Sequence, residues 1–429
     1  MKRPKPAACN VPADRSGPRP PGRREVALAL TALLAAPRLL APARADGAGA
    51  ASGGDAPVAE IPLFYLRWME RHPTISRLDA PTPNAGLAGA EIALDDNNTT
   101  GRFLNQHFTL TDVKLRADDD PAAAVKALAA QQAALVLCDL PAAQLLAAAD
   151  AGRAQGMTFF NIASPDDALR GAECRADIIN VAPSRAMLAD ALAQYLVWKK
   201  WSRWFLVYGS HPDDAALADA YRRSAKRFGA RIVAERVFKD TGESRQSDSG
   251  IVLTQQLMPT FTQGVPEYDV LVAADESEVF ADDLPYRTWD ARPVVGSAGL
   301  RPVTWDAASE SWGGAQLQDR FVRRFHRNMM PLDMQAWTAV RMVGEAASRA
   351  GATDAKSIMA YMKGPDFAVA AYKGEKLTLR PWDWQLRQPI LLADGRTVVS
   401  VSPQKGFLHQ VTELDTLGID RPETTCKFK

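Results

Sequence analysis

The chain of 429 residues carries 51 basic and 50 acidic side chains, a formal net charge of +1. This balance hides an uneven distribution, because nine basic but only two acidic residues fall within residues 1–45. Without that segment, 384 residues remain, with 42 basic and 48 acidic side chains and a net charge of −6. A mildly acidic chain of this kind is a poor candidate for binding nucleic acid or anionic lipid, and we expect neither partner.

Residues 1–45 are arranged like a secretory signal peptide. A basic, Pro-rich segment precedes the apolar run VALALTALLAAPRLLAP, and the small residues Ala43 and Ala45 suit cleavage by a signal peptidase after residue 45. The apolar run is too short, and too interrupted at Pro37 and Arg38, to anchor the chain in a bilayer. The Arg pair at 23–24 leaves twin-arginine export open beside the general secretory route. We therefore expect a cleaved signal, a flexible leader at 46–57 and a periplasmic protein.

From residue 58 onward, short β-rich runs alternate with helical patterns. The first five strand runs are EIPLFYLRW, FTLTDVKL, AALVLC, MTFFNI and DIINV, and the helical runs among them are residues 84–96, PAAAVKALAAQQ and PAAQLLAAADA. No later segment is apolar enough to cross a membrane. Alternation of strand and helix predicts a parallel sheet that is covered by helices.

The same alternation restarts after a break near residues 181–184. Ser184 is placed to cap the helix PSRAMLADALAQYLVWKK. The strands that follow are SRWFLVYG, ARIVAERVF, YDVLVAA and ARPVVGS, and the helices are DDAALADAYRRSAKRFG, AQLQDRFVRRFHRNM, DMQAWTAVRMVGEAASRAG and DAKSIMAYMKG. The runs KLTLRPWDWQLRQPILLA and RTVVSVS near the C-terminus are again typical of strands.

This restart predicts an α/β fold of two doubly wound parallel-sheet lobes joined by a hinge, since 384 residues are too many for one ordinary core. We expect lobe 1 to cover residues 58–182 and lobe 2 residues 183–297. Residues 298–388 are expected to return to lobe 1, and residues 389–429 to form a C-terminal segment that belongs mainly to lobe 2. A chain that passes between the lobes more than once makes a hinge.

Three cysteines remain once the signal is removed. Cys138 lies in an apolar strand run, whereas Cys174 and Cys426 have polar neighbours. Export favours a disulfide, and we predict the pair Cys174–Cys426 with Cys138 free, although a Cys138–Cys174 bond stays open as an alternative. The spacing matches neither a zinc site nor a CxxC redox pair.

The order of strands and helices resembles the type I periplasmic binding proteins, the soluble receptors of ABC importers, of which the branched-chain amino-acid receptors are one branch. The resemblance covers the chain from about Ala59 to the C-terminus. Five segments in order resemble one subfamily, the ABC-transporter substrate-binding protein found alongside pyrroloquinoline-quinone (PQQ)-dependent alcohol oxidation. They are DDNNTTGRF, PSRAMLADALAQYL, LRPWDWQLRQPILLA, SPQKGFLH and LDTLGIDRPE. The resemblance implies a receptor whose partners are a permease and an ATPase, and it adds lanthanide handling as family context.

The stretch DDNNTTGRFLNQ, residues 95–106, is dense in polar groups at its start, DDNNTTG, and suggests a catalytic loop, a metal loop or a helix end. The resemblance places it at the end of the first helix of lobe 1, where Asn and Gly tolerate the left-handed backbone that turns the chain into the next strand. A ligand role is less favoured, because ligands bind beyond the carboxyl ends of strands and this stretch leads into a strand's start. Arg102 remains a candidate contact for a membrane partner.

The loops that follow the strands are where we expect the ligand. They are residues 67–69, 139–141 and 163–167 in lobe 1, and 210–214, 275–277 and 297–299 in lobe 2. In the branched-chain receptors these loops hold a carboxylate with Ser, Thr and backbone N–H groups and an ammonium with an acid. Here Ser164, Ser210 and Ser277 are the obvious hydroxyl members, so an amino-acid ligand is in doubt. The candidate ligand-binding residues are Trp68, Asp139, Ser164, Asp166, His211, Asp213, Asp275 and Glu276.

Acidic residues dominate these loops, which suits a cationic ligand or a hard metal ion such as a lanthanide. The metal candidates are Asp139, Asp166, Asp213, Asp275 and Glu276, although no known metal-loop motif is present. The alternative is helix capping, which explains the acid pairs at 166–167, 213–214 and 275–276, but not Asp139. Trp68 is equally a stacking or a packing residue. For His211 an exposed loop position is favoured over a ligand contact. We expect packing for four further tryptophans, Trp305, Trp312, Trp382 and Trp384, with a docking surface as the alternative.

An enzyme is not expected, because the chain contains no GxSxG, no Walker A loop and no GxGxxG after its first strand. No cofactor is expected either. The first functional hypothesis is a receptor, expected as a monomer, that delivers a small ligand to an ABC importer. The alternative is a periplasmic accessory protein that assists a PQQ-dependent alcohol dehydrogenase without transport.

Overall fold

A computed structural model describes residues 58–69, 82–239 and 254–429. The predicted signal peptide and leader therefore lie outside the described residues. None of the helices in the described ranges is long and apolar enough to cross a membrane.

The first sheet is parallel, with the strand order β2-β1-β3-β4-β5. Its strands are β1 (Ala59–Met69), β2 (Gln106–Arg116), β3 (Leu135–Asp139), β4 (Thr158–Asn161) and β5 (Ile178–Asn180). The connecting helices are α1 (Leu87–Gly101), α2 (Pro121–Ala130) and α3 (Ala142–Gly152). Separate apolar clusters cover its two faces. This double burial is why the strand runs are almost continuously apolar.

The second sheet is also parallel, with the order β7-β6-β8-β9. Its strands are β6 (Arg203–Gly209), β7 (Arg231–Phe238), β8 (Val270–Ala274) and β9 (Val294–Gly296), and its helices are α4 (Arg185–Trp198), α5 (Pro212–Phe228), α6 (Thr254–Thr262) and α7 (Leu284–Arg287). Ser184 caps α4 as predicted, because its Oγ accepts a hydrogen bond from the amide of Met187 at 3.2 Å. The predicted α/β fold of two parallel-sheet lobes is confirmed.

The rest of the chain adds helices and two small antiparallel sheets. These elements are β10 (Arg301–Val303), α8 (Gly314–Phe325), α9 (Pro331–Ala350), α10 (Ala355–Met362), β11 (Val369–Ala370), β12 (Lys376–Leu379), β13 (Leu386–Arg387), β14 (Ile390–Ala393) and β15 (Val398–Ser402). The small sheets have the orders β10-β14-β15 and β11-β12-β13. The run KLTLRPWDWQLRQPILLA is thus three strands rather than one. A turn at residues 380–384 interrupts it, with Trp384 in a left-handed conformation at φ 50°.

The chain passes between the two large sheets three times in the described ranges. It leaves the first sheet after Asn180 to form α4, and it leaves the second sheet before Trp305, which belongs to the core of the first. It returns between Arg387 and Ile390, where β14 and β15 begin to pack on α4. Three adjacent crossings allow the lobes to rotate as rigid bodies, the usual basis of hinge closure.

The C-terminal tail is held at both lobes. Cys174 and Cys426 form a disulfide with sulfurs 2.05 Å apart, whereas Cys138 is a buried free thiol. Beside the disulfide, Phe428 stacks on Trp384 with ring centroids 5.6 Å apart. Nearer lobe 2, the backbone oxygen of Gly418 accepts hydrogen bonds from arginines of α5. The last residues therefore link elements of both lobes.

We expect removal of the disulfide, in a Cys174→Ser/Cys426→Ser double variant, to lower the free energy of unfolding by about 2–4 kcal/mol. The bond closes a loop across 252 residues of sequence separation, and so it restricts the unfolded chain strongly. Urea unfolding of the oxidised protein and the variant measures the difference. The wild type under reductant is the control and should unfold like the variant, and equal stability of oxidised wild type and variant contradicts the expectation.

Candidate functional site

The strand orders locate the cleft between the lobes. In each large sheet, the first strand has neighbours on both sides, so that successive crossovers leave in opposite directions beside it. Such a switch point opens a crevice outside the carboxyl ends of the strands. The two switch points lie between β1 and β3 in lobe 1 and between β6 and β8 in lobe 2. The loops at residues 67–69, 139–141, 210–214 and 275–277 border them.

Asp139 ends β3 at the switch point of lobe 1, opposite Arg67 in the register of β1. Its carboxylate accepts one long hydrogen bond, 3.4 Å from the Tyr65 hydroxyl. Burial raises the pKa of Asp139 to about 6, and the Tyr65 hydrogen bond and the charge of Arg67 offset that rise only in part. A poorly partnered carboxylate at a switch point is the arrangement expected of a ligand contact.

The cations and acids beside Asp139 are already engaged. Arg67 donates to both carboxylate oxygens of Asp112, at 2.9 and 2.8 Å, and to the backbone oxygen of Pro83 at 2.7 Å. Asp333 is fully buried and accepts hydrogen bonds from Arg327 and from the backbone amide of Gly86. Asp139 is therefore the acid of this region with the fewest partners in the described part of the chain.

Arg185 is the centre of the charged groups between the lobes. It is the first residue of α4, is buried, and forms a bidentate pair with Glu276, its Nε and Nη2 lying 2.6 and 2.7 Å from the carboxylate oxygens. Its Nη2 also donates to Asp213 at 2.7 Å, and its Nη1 lies 3.8 Å from Asp166. One guanidinium thus faces three carboxylates from loops of both lobes. The cluster of these four side chains therefore carries a net negative charge.

Ser164 and Asp166 belong to a buried polar turn after β4. The side chain of Asn161 bonds to both the backbone amide and the backbone oxygen of Ser164. Arg170 is also buried and donates to the backbone oxygens of Ser164 and Asp166. Asp166 caps the short helix that follows by accepting from the amide of Ala168 at 2.8 Å. These residues shape the loop, and their main contacts are structural.

Two buried aspartates organise the loops of lobe 2. Asp214 accepts hydrogen bonds from the amides of Glu276 and Ser277 at 2.7 and 2.9 Å and from the amide of His211. Asp275 accepts from three successive amides, at residues 279–281, at 3.0, 2.7 and 2.7 Å. His211 is the exposed N-cap residue of α5. Backbone amides occupy oxygens of both carboxylates, so the contacts of Asp275 within the described ranges are structural, and its ligand role stays a prediction.

The metal role suggested for Asp139, Asp166, Asp213, Asp275 and Glu276 stays a prediction, and their contacts in the structure do not favour it. Within the described ranges there is no group of three or more His, Cys, Asp or Glu side chains placed to hold a metal ion. The physical reason is that three of the acids share Arg185 and Asp275 is taken up by backbone amides. A cation competing for these oxygens would have to displace a guanidinium or several amides.

Comparison with known proteins identifies the fold. Residues 78–249 match a family model described as periplasmic binding protein, which is less than half of the chain. A periplasmic binding protein from Burkholderia mallei superposes with a TM-score of 0.61 at 14% identity, covering 86% of this chain and 98% of the other. The leucine-, isoleucine-, valine-, threonine- and alanine-binding protein of Brucella ovis, in a closed conformation, gives 0.65 at 14% identity over 86% and 99%. This is the type I periplasmic-binding-protein fold.

A third structure with this fold is an ABC-transporter solute-binding protein from R. palustris in complex with benzoate. It has a TM-score of 0.60 at 12% identity and covers 86% of this chain and 99% of the other. No curated protein sequence matches the chain. Structures so distant in sequence establish the type I fold, and the ligand has to be argued from this chain's own residues.

The DDNNTTG stretch forms the last turns of α1 and packs this part of the type I fold against α9. Asn97 is buried, and its Nδ2 donates to the backbone oxygen of Val340 at 2.8 Å. Asn98 bonds to both the amide and the backbone oxygen of Phe108, at 2.7 and 2.9 Å, and so fixes the start of β2. The left-handed residue is Asn105, at φ 52°, rather than Asn98 or Gly101. The stretch is a helix end with structural contacts.

Four of the five subfamily-like segments meet in one buried network. Asp415 accepts from the Nε atoms of Arg380 and Arg387, at 2.9 and 2.8 Å, and all three residues are buried. Gln194 of α4 bonds to Thr416 at 2.9 Å. Further contacts of the network join Gly418 to Asp190, Gln404 to Gln194 and Ser402 to Ala191. These segments therefore hold the C-terminal region on α4, away from the predicted ligand loops.

The tryptophans have different roles. Trp68 is half-buried and packs on the core cluster that covers one face of the first sheet, and Trp305 is buried, with its Nε1 donating to Gln318 at 3.1 Å. Trp382 lies against Arg380 and Arg387, and Trp384 stacks on Phe428. Trp312 is 56% exposed, so the prediction of packing was wrong for this residue. Its backbone lies in the left-handed conformation, at φ 52°.

Arg185 is the residue that sequence reasoning missed. Its position in the first turn of α4 was visible, but a basic residue at a helix N-terminus opposes the helix dipole and gives no sign of a ligand or a partner. The role of Arg185 becomes clear only from the carboxylates that surround it in the folded protein. The sequence does show many acidic residues in the loops that follow the strands. Several acids close together in a cleft favour a cationic side chain that pairs with them.

We expect Arg185→Met to lower the free energy of unfolding by about 2–3 kcal/mol. Loss of one partner of a buried ion pair costs about 3–5 kcal/mol, and the partial exposure of Glu276 and Asp213 reduces this. Arg222→Met, which breaks an exposed pair with Glu235, is the matched control and should cost less than about 1 kcal/mol. Urea unfolding measures both, and equal costs contradict a special role for Arg185.

Proposed function

We propose that this protein is the exported solute-binding receptor of an ABC importer, and that it captures a small solute carrying a cationic or amine group between its lobes. The type I fold, the hinge crossings and the similar solute-binding proteins support the receptor role. The receptor then presents the closed complex to a permease and its ATPase. Catalysis is not part of the proposal, because the cleft supplies charge and hydrogen bonds rather than an activated nucleophile.

The observation that carries the ligand class is the state of Asp139. It lies at the switch point with one long hydrogen bond, and burial raises its pKa to about 6. A ligand ammonium would stabilise the ionised form and supply the missing donors. The group of acids around Arg185 on the facing side adds net negative charge to the same cleft. A purely anionic ligand would meet repulsion from both lobes.

The location, the subfamily and the cargo belong to the same proposal. We propose a periplasmic location and a link to PQQ-dependent alcohol oxidation, which the resemblance of five sequence segments supports. The solute proposed is organic rather than a lanthanide, because the described ranges contain no group of three or more His, Cys, Asp or Glu side chains placed to hold a metal ion. A PQQ-dependent dehydrogenase as a direct partner is the accessory alternative, and binding experiments separate it from the receptor role.

Thermal unfolding of the protein, stripped of solute, tests the proposal with three compounds that share the branched side chain of leucine. These are 3-methylbutylamine, leucine and 4-methylpentanoate, which present a cation, a zwitterion and an anion. At about 100 times its dissociation constant a ligand adds about 2.7 kcal/mol of stability, which a melting curve resolves. We expect the amine to stabilise the protein most and the acid least. Wider panels of amines, alcohols, aldehydes and La³⁺ follow the same protocol.

Two variants locate the binding. In Asp139→Asn the apparent affinity for the amine, obtained from the thermal shifts, should fall at least tenfold. In Asp275→Asn the amine should still stabilise the protein most and the acid least. A stronger effect of 4-methylpentanoate than of the amine overturns the cationic ligand class. Stabilisation by La³⁺ that depends on Asp139 would replace the organic solute by a metal ion. The absence of any stabilising compound in the panels would favour the accessory role.

A further inference from the structure

A cavity of about 290 Å³ lies away from the cleft, beside the crossing that leads into β14. Its lining comes from the segment before β12, from the end of β15 and from the turn before Asp415. None of the loops at the two switch points contributes to it. Its lining includes Trp312, Lys373, Glu375, Pro389, Glu413 and Leu414.

Lys373 is the one cation among these lining residues. It is 2% exposed, and its Nζ donates to the Oε1 of Gln388 at 2.6 Å. No carboxylate of the described ranges pairs with it, and burial alone lowers its pKa to about 7. An ammonium that is removed from water without a counter-ion is costly, and such groups are commonly retained where a ligand supplies the charge.

The partner of Lys373 connects it to the hinge. Gln388 lies in the crossing between β13 and β14, and its Nε2 donates to the backbone oxygen of Val181 at 2.7 Å. Val181 lies in the crossing that leads to α4. Lys373 is thus hydrogen-bonded to a residue that joins two of the three crossings.

Trp312 forms an aromatic wall of the cavity in a backbone conformation that tryptophan rarely adopts. Its φ is 52°, and its ring lies against Gly374, where a Cβ atom would come within 2.5 Å of the indole. Strain at a bulky, exposed residue is typical of functional positions. Pro389 and Leu414 add apolar surface on other sides of the cavity.

Two glutamates also line the cavity, but both are exposed. Glu375 and Glu413 lie among the solvent-accessible residues, whereas Lys373 is buried. Water screens the exposed carboxylates, while the buried ammonium acts in a medium of low polarity. Below pH 7, where Lys373 is mainly protonated, its charge therefore dominates in the buried part of the cavity, and the binding test is run at pH 6.

We propose that this cavity is a second ligand site, which takes a small monocarboxylate by pairing its carboxylate with Lys373 and packing its apolar part against Trp312. The site is independent of the solute proposed for the cleft, whose charge is opposite. A carboxylate there would provide the counter-ion that Lys373 lacks. The cavity volume suits an acid with a single ring or a short branched chain.

Calorimetric titration with phenylacetate tests the site, and phenylacetamide, of the same shape but without charge, is the matched control. We expect phenylacetate to bind at least tenfold more tightly than the amide. In Lys373→Met this preference should disappear, and in Trp312→Leu both compounds should bind several-fold more weakly. Asp139→Asn, a change in the cleft, should leave phenylacetate binding unchanged.

The comparison of acid and amide on the wild type needs no variant, so it stands even where Lys373→Met folds poorly. Equal affinity for the two compounds, or absence of phenylacetate binding, overturns the site. Loss of phenylacetate binding in Asp139→Asn would place the acid in the cleft and overturn it as well. Failure of the amine to bind the cleft leaves this test unaffected, since it uses a different compound and different residues.

Discussion

Replacing Asp415 by Asn is expected to lower the free energy of unfolding by about 3–5 kcal/mol. Asp415 is fully buried, and its Oδ1 accepts from both Arg380 and Arg387, of which Arg380 is 1% exposed. Asn keeps the shape of the side chain but removes the charge of the one carboxylate to which both buried guanidinium groups donate. The cost is that of uncompensated charge rather than of a cavity, and it exceeds the cost expected for Arg185→Met, whose acidic partners are partly exposed.

Urea unfolding at neutral pH measures this cost. Glu345→Gln, which removes the partner of the exposed Arg349 on α9, is the control and should change stability by less than about 1 kcal/mol. The double variant Arg380→Met/Asp415→Asn should lose less than the sum of its single variants, because the two residues interact directly. A cost of Asp415→Asn within the range of the control would show that the network contributes little.

Asp139→Asn is expected to act in the opposite direction, raising stability at pH 8 by roughly 2–3 kcal/mol while it weakens binding in the cleft. Burial raises the pKa of Asp139 from 3.8 to about 6, and a pKa change of about two corresponds to about 3 kcal/mol. Because the folded state holds this proton more tightly than the unfolded chain, ionisation of Asp139 costs stability as the pH rises.

The pH dependence distinguishes this effect from a packing change. Below about pH 3 the carboxyl is protonated in both states, so the variant and the wild type should be equally stable, and at pH 4 the difference should still be small. Between about pH 4 and pH 6 the variant should gain progressively, and above pH 6 the gain should be constant. Urea unfolding at pH 4, 6 and 8 measures the series. A gain that is the same at all three values contradicts titration of Asp139 as its cause.

Much of the fold was readable from local pattern. The β-rich runs, the two rounds of alternation and the Ser184 cap predict the two parallel-sheet lobes that the structure shows. The missed elements are short or lie late in the chain, such as β10 and α6, where three to nine residues carry too little periodicity. The turn at residues 380–384 was missed because its left-handed Trp384 has no counterpart in residue preferences.

The candidate site was harder to predict from the sequence than the fold, as Asp139 and Asp275 show. Both acids directly follow buried strands, and nothing local separates them. In the structure Asp275 accepts three backbone amides from the loop after β8, whereas Asp139 has only the Tyr65 hydroxyl among the described residues. The difference depends on how each following loop folds back. Loop geometry is a matter of tertiary packing, which residue types leave open.

By itself, the sequence determined the fold class, the cap of α4 and the residue types that border the cleft. Those properties depend on periodicity and on neighbours a few residues away. The tertiary structure decided which charges are engaged: Arg185 collects acids from both lobes, Asp415 holds two arginines, and Asp139 and Lys373 have no charged hydrogen-bond partner in the part of the chain that the structure describes. The physical reason is that the stability of a charged side chain depends on its partners and its burial. In this protein both are provided by segments far apart in the chain.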